Sequence, residues 1–306
     1  NRRRLNDTFY TDTLFSKVKS MNGNTCAQVY SNGSFTKVFP MPDKTGARVG
    51  QTLTDFADDV GIPDTLVMDL APEQAGKHTE MQKEARRLRV RIRFTEKGRS
   101  EQNHTAEGEI GQLKRRWKHR MTTKNVPRCL WDYGLVHEAE VLSILARGKD
   151  QVPGLEKVLG QTIDISEYLD FGIWDLVWYW DQSKTSDMSD EQKKLGRWLG
   201  IAHRVGSEMT YWILTEHCKV IARSTVQHVL FADLQQETVK AKATRFERLI
   251  DENLRGRETI VNVPNVFYLD DEAAPDGSDA FTPTNAEYGD MLQDEKPEVD
   301  EEAFDN

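Results

Sequence analysis

Residues 8–39, TFYTDTLFSKVKSMNGNTCAQVYSNGSFTKVF, decide the class of fold. Thr8–Ser16 is β-branched and aromatic. Thr25–Tyr30 follows a turn at Asn22-Gly23-Asn24, and Phe35–Phe39 follows a second at Ser31-Asn32-Gly33-Ser34. Two turns this short predict a three-stranded antiparallel meander. The period then changes. Val49, Leu53, Phe56, Ala57 and Val60 recur at helical spacing, and Gly61-Ile62-Pro63 stops that helix. Thr65–Met68 is a short apolar strand ending at Asp69, residues 77–88 read as a helix, and Val90–Phe94 alternates with Arg89, Arg91 and Arg93. Two helices follow, over about 104–122 and, after Pro127, about 128–146. The order βββαβαβαα predicts an α/β layer fold with a mixed sheet flanked by helices.

Beyond this point the texture changes twice. Residues 148–167 read as a linker. Within 168–230 lie five of the seven tryptophans, Trp174, Trp178, Trp180, Trp198 and Trp212, on short strand-like runs separated by turn residues. That pattern predicts a small all-β barrel. Residues 231–256 read as a helix with Asp233 as N-cap and Gly256 at its end. The remainder, 257–306, reads as a linker and a disordered acidic tail.

Charge divides the chain in the same place. The 306 residues, 35.1 kDa, carry a net charge of −9. From Asp270 onward there are 14 acidic residues and one base, Lys296, out of 50 acids and 41 bases in all. This leaves 36 acids and 40 bases, a net of +4, in residues 1–269. A mildly basic body is compatible with a nucleic-acid partner, which the whole-chain charge hides. No apolar run approaches a membrane span and no secretory leader is visible. Cys26, Cys129 and Cys218 lie far apart, so neither a Cys-x-x-Cys zinc site nor a disulfide scaffold is expected. A reducing compartment, nuclear or cytoplasmic, is the expectation.

Three carboxylates stand out by placement. Asp12 lies inside the first strand, Asp69 at the carboxyl end of the fourth, and Glu107 in the first turn of a helix. If the two strands are neighbours and the helix packs across them, the three acids converge and need a counter-charge. Two hard cations, Mg²⁺ or Mn²⁺, would supply it and support phosphodiester chemistry. On residue types alone, Asp12 fits equally well as an edge-strand charge, Asp69 as a turn residue and Glu107 as an acid stabilised by the helix dipole. Past Glu107 the helix carries Lys114, Arg115, Arg116, Lys118, His119 and Arg120. Lys114 and Lys118 share its face. This is a solvated basic face or a surface for phosphate.

The residues resemble the integrase catalytic core of retroviruses and long-terminal-repeat retrotransposons, with the closer likeness to copia-type elements. FYTDTLF offers Asp12, LVMDLAPEQ offers Asp69 and Glu73, and SEQNHTAEGEIGQLKR offers Glu107, 38 positions beyond Asp69. Gln102-Asn103-His104-Thr105-Ala106-Glu107 is similar to the family's Gln-Asn-Gly-x-Ala-Glu. The likeness covers residues 8–147, and the Trp-rich segment resembles the stretch that follows integrase in copia-like polyproteins. It implies a ribonuclease-H-like core, an SH3-like barrel and a fragment of a Gag-Pol-type polyprotein. The activity it implies is DNA strand transfer and 3′-end processing, with Asp12, Asp69 and Glu107 as catalytic residues binding two Mg²⁺ or Mn²⁺ ions. It also implies DNA contacts from Lys114, Arg115, Lys118 and Arg120, and a homo-oligomer. Leu70-Ala71 stands where the family has Asn-Gly, and Gly108 where Arg is usual. These departures leave a catalytically inactive nucleic-acid-binding remnant as the alternative.

Overall fold

In the computed structural model, the described residues are 2–69, 79–95, 104–147, 150–181, 193–206 and 209–261. The expected meander is present as β1 (Arg4–Phe15), β2 (Cys26–Ser31) and β3 (Thr36–Met41). Helix α1 (Gly46–Asp59) then crosses back to β4 (Ile62–Met68), and α2 (Glu80–Leu88) leads to β5 (Arg91–Phe94). The five strands form one mixed sheet in the order β3-β2-β1-β4-β5. β1 is antiparallel to β2 and parallel to β4, and β4 is parallel to β5.

Both faces of this sheet are covered, as parallel strands require. Phe9, Tyr30, Leu66 and Met68 pack on one side against Leu53 and Phe56 of α1 and Met81 and Ala85 of α2. Leu14, Ala27, Val29 and Val38 project to the other side. There they meet α3 (His104–Thr123) through Ile110, Leu113 and Trp117, and α4 (Trp131–Ile144) through Leu135, Ala139 and Leu142. Between α1 and β4 the chain turns at Gly61, with φ 137°, where a Cβ would lie 2.9 Å from the Arg3 carbonyl oxygen. Only glycine satisfies both demands. β1 begins four residues earlier than its composition suggested, because Arg4 and Leu5 pair with Ile62 and Pro63 of β4.

Residues 148–167, expected as a linker, contain α5 (Gly154–Leu159), whose Leu155 and Val158 pack on the α1 side of the core. α6 (Ser166–Leu169) leads into a second sheet. This sheet comprises β6 (Leu176–Trp180), β7 (Lys193–Ile201), β8 (Tyr211–Thr215), β9 (Val220–Arg223) and β10 (Val226–His228). It is antiparallel, in the order β10-β6-β7-β8-β9. The two edge strands are consecutive in the chain, joined by Ser224 and Thr225. The single helix expected over 231–256 is divided into α7 (Phe231–Leu234) and α8 (Glu237–Asn253). Asp233 therefore does not cap the long helix. It lies in α7, and its carboxylate accepts from the Leu230 amide. The acidic tail lies outside the described residues. No helix among the described residues is long and apolar enough to cross a membrane, and Cys26, Cys129 and Cys218 form no disulfide with one another.

α4 lies between the two sheets and carries three buried acids. Asp132 Oδ2 accepts from Asn22 Nδ2 (3.0 Å) and Asn24 Nδ2 (2.9 Å). Glu138, with no exposed surface, is bound by Arg116 (2.8 Å) and Arg120 of α3. Glu140 meets His203, just after β7, at 2.9 Å, with Lys37 of β3 at 3.9 Å. Each is hydrogen-bonded or ion-paired, as burial demands. Burial pushes the Glu140 carboxyl up, but the hydrogen bond from His203 and the charge of Lys37 outweigh it and hold the group below its ordinary range. The same hydrogen bond raises the His203 pKa.

Two outcomes follow from this packing. A Cβ at Gly134 of α4 would lie 2.1 Å from the Trp117 ring of α3. Gly134→Ala should cost about 1–3 kcal/mol in urea denaturation through overpacking. The His203–Glu140 pair contributes while His203 is protonated and Glu140 is ionised. Its contribution is lost as pH rises through the raised His203 value, and again as pH falls through the lowered Glu140 value. His203 is partly exposed, so His203→Gln should cost only about 0.5–1 kcal/mol near pH 6 and less near pH 8.5. Denaturation midpoints at the two pH values check this.

Candidate active site

The parallel register of β1 and β4 decides where the first two carboxylates sit. Tyr10 pairs with Val67 and Thr11 with Met68, so the next residues on each chain, Asp12 and Asp69, are neighbours at the carboxyl end of β4. Paired positions in a sheet share a face, and alternate residues share it along each strand. Leu14, two residues after Asp12, packs against the α3 side of the sheet. Asp12 and Asp69 thus belong to the face that α3 covers, and Glu107 lies in the first turn of that helix.

Each residue is held by its neighbours. The side chains on either side of Asp12 are tied down on the opposite face. Thr13 Oγ1 donates to Gln28 Oε1 (2.8 Å), Gln28 Nε2 donates to Thr11 Oγ1 (2.6 Å), and Thr11 Oγ1 donates to the Val29 carbonyl oxygen (2.8 Å). Asp12 Oδ1 accepts from the Thr13 amide (2.7 Å). Asp69 Oδ1 accepts from Thr95 Oγ1 (2.8 Å), and the Thr95 amide donates to the Met68 carbonyl oxygen (3.1 Å). Two residues past Glu107, Glu109 is buried and anchors the start of α3. Thr36 Oγ1 of β3 donates to its Oε2 (3.1 Å), and Arg147 Nη1 reaches its Oε1 (3.0 Å). Glu107 itself is exposed.

The electrostatics connect the three. The Asp12 carboxyl is raised to about 6, chiefly by burial, with the charges of Asp69 and Glu107 adding to it. The Thr13 amide and the charge of Lys44 oppose the rise. The charges of Asp69 and Glu107 thus both reach Asp12. As they stand, no group of three His, Cys, Asp or Glu side chains among the described residues is arranged to hold a metal ion. The donor chemistry nonetheless fits a hard divalent cation: carboxylate oxygens only, with one carboxyl penalised for its charge by burial and by two like charges.

The basic residues of α3 divide into two groups. Arg115 and Lys118 are exposed and Lys114 is half-buried. Arg120 is different: with Arg116 it clasps the buried Glu138 of α4, which joins the two helices. Sequence reading missed Thr95, the Thr11–Gln28–Thr13 ties, and Lys44, whose charge acts on Asp12. Thr95 had one local signal, since it directly follows the strand Arg91–Phe94. Glu73, Gln102 and Asn103 lie outside the described residues, as does the side chain of His104.

No protein-family model matches the chain, and no curated protein matches it. Among solved structures it is similar to a chain in the cryo-electron microscopy structure of the simian T-cell lymphotropic virus intasome in complex with PP2A regulatory subunit B56 gamma. Identity is 15% and the TM-score 0.42, over 75% of this chain and 82% of that one. A match at that score decides neither fold family nor function.

The division of the basic residues is testable by urea denaturation. Arg120→Ala leaves a buried carboxylate short of a partner and should cost about 3 kcal/mol. Lys118→Ala removes an exposed charge and should change stability by no more than about 0.5 kcal/mol.

Proposed function

We propose that this chain is an integrase-type DNA strand transferase and 3′-end processing enzyme of a copia-type retrotransposon. Its first sheet would be a ribonuclease-H-like core and its second an SH3-like barrel. The observation that carries this reading is the in-register placement of Asp12 and Asp69 on parallel neighbours beneath the helix that starts near Glu107. Asp12, Asp69 and Glu107 would hold two Mg²⁺ or Mn²⁺ ions. Such a pair lowers the pKa of an attacking water or 3′-hydroxyl and stabilises the departing 3′ oxygen.

The chain's own residues do the rest. Thr95 fixes one oxygen of Asp69 and leaves the other for a ligand. The Thr13 amide turns Asp12 within its strand. Glu109, held by Thr36 and Arg147, sets the position of the helix start that presents Glu107. Lys114, Arg115 and Lys118, further along the helix, would bear on the phosphate backbone, giving contacts that position DNA without reading its sequence. Arg120 drops out of this set because it serves Glu138. The partner would be DNA, engaged by a homo-oligomer.

A second reading is a nucleic-acid-binding remnant without catalysis. It is favoured by the absence of a ready three-ligand metal cluster among the described residues. Glu107→Gln separates the two. On a duplex DNA end with Mg²⁺ or Mn²⁺, wild-type chain should nick or join strands, and the variant should lose at least about a hundredfold of that rate. Its folding stability should stay within about 0.5 kcal/mol, since Glu107 is exposed. Equal rates would remove the catalytic reading. DNA binding without metal-dependent turnover in wild type would leave the second.

A further inference from the structure

A cleft of about 270 Å³ opens between α4 and the second sheet. Tyr133, Val136, His137 and Glu140 recur at helical spacing on one side of α4 and line it. Leu199 and Gly200 of β7 and Trp212 of β8 line it from the sheet. There β7 slips out of register with β8 between Trp198 and Gly200, and Gly200 pairs with Trp212. Gly200 has φ 138°, a conformation that side chains avoid, and a Cβ built on it would meet nothing within 4 Å. The bulge therefore makes room beside Trp212 instead of relieving a clash. Strands carry such irregularities beside functional sites.

His137 is buried, and its ring stands edge-on to Trp198 with the centroids 5.1 Å apart. Burial lowers its pKa, against the charges of Glu138 and Glu140, so the ring is neutral at neutral pH. Nδ1 is enclosed without a hydrogen-bond partner. Nε2 makes no hydrogen bond among the described residues either, and it is not enclosed, so it is the nitrogen that meets the cleft. In a neutral imidazole Nε2 is the donor in one tautomer and the acceptor in the other. A hydroxyl or a carboxamide answers both.

The acids of the cleft make no such demand. Asp132 is bound by Asn22 and Asn24, and Glu140 by His203 with Lys37 nearby. An ionic ligand would lose its hydration here without gaining an opposite charge that lacks a partner. Tyr133 and Trp212, both half-buried, offer aromatic surface to a ring. Ligand pockets run from roughly 300 to 1,000 Å³, so a cleft of this size suits a small molecule.

We infer that the cleft between α4 and the β7 bulge binds a small uncharged aromatic molecule that carries a hydroxyl or carboxamide. Its ring lies beside Trp212 and its polar group meets His137 Nε2. The site is separate from Asp12, Asp69 and Glu107 and requires no divalent metal.

The test uses the full chain in EDTA and fluorine NMR of four probes: 4-fluorobenzamide, 4-fluorobenzoate, 4-fluorobenzamidine and fluorobenzene. The first three share a shape and differ in charge. Saturable binding of the benzamide is expected in about the millimolar range. The benzoate and the benzamidine should bind at least about tenfold more weakly. Val136→Trp fills the cleft from a half-buried position and should abolish binding of benzamide and fluorobenzene alike. His137→Phe keeps a ring but no nitrogen. It should weaken the benzamide about fivefold or more and leave fluorobenzene unchanged. Circular dichroism verifies that both variants fold, and Val136→Trp decides the site if His137→Phe does not. No saturation by the benzamide up to about 30 mM would overturn the inference. So would equal binding of the three shape-matched probes, or binding unchanged in Val136→Trp. Equal weakening of benzamide and fluorobenzene in a folded His137→Phe would remove His137 from the site. Because EDTA removes divalent ions, failure of metal binding at the three carboxylates would leave this result unaffected.

Discussion

The parallel pairing of β1 with β4 is the constraint on which the rest of the molecule depends. It requires a crossover, which α1 supplies, and it buries both faces of the sheet, which sets the apolar content of β1, β2 and β4. It also places Asp12 and Asp69 side by side. A shift of β1 by one residue would turn Asp12 into the α1 core and Phe9 toward α3. The same hydrophobic pattern that fixes the register therefore fixes the spacing of the two acids. The ties through Thr11, Gln28 and Thr13 reinforce that register from the opposite face.

The second organising element is α4, which is buried on more than one side and so cannot be read as an amphipathic surface helix. Its acids each point to a different neighbour: Asp132 to the Asn22–Asn24 turn, Glu138 to α3, and Glu140 to the segment after β7. Paired buried charges add little net stability but are costly to break. They specify which helix packs where. The clasp of Arg116 and Arg120 on Glu138 orients α3 along its length, while Glu109 orients its start. The position of Glu107 is thus controlled from both sides.

Much of this was legible in the sequence, for local reasons. The meander could be read because Asn-Gly turns and β-branched runs are local signals. The move to helices showed in the spacing of Val49, Leu53 and Phe56, and the second sheet in its spaced tryptophans. The rest depends on partners distant in sequence. β10 has three residues and exists because it pairs with β6. The break between α7 and α8 falls at Gln235-Gln236, inside what looked like one helix, while Asp233 accepts from the Leu230 amide at the start of α7. Arg120 looked like its neighbours Arg115 and Lys118, and only the buried Glu138, 18 residues on, sets it apart. Thr95 was invisible as a site residue because its role is a hydrogen bond to Asp69 across 26 residues.

The proposed strand transfer requires three carboxylates that share divalent ions. Titration with Mn²⁺, following the free ion by electron paramagnetic resonance, tests this without requiring DNA or turnover. The account predicts saturable binding by wild-type chain and its loss in Asp12→Asn, whose side chain keeps the size but not the charge. Absence of saturable binding up to about 10 mM, well above the affinity expected of a carboxylate-lined site, would contradict it, as would binding unchanged in the variant.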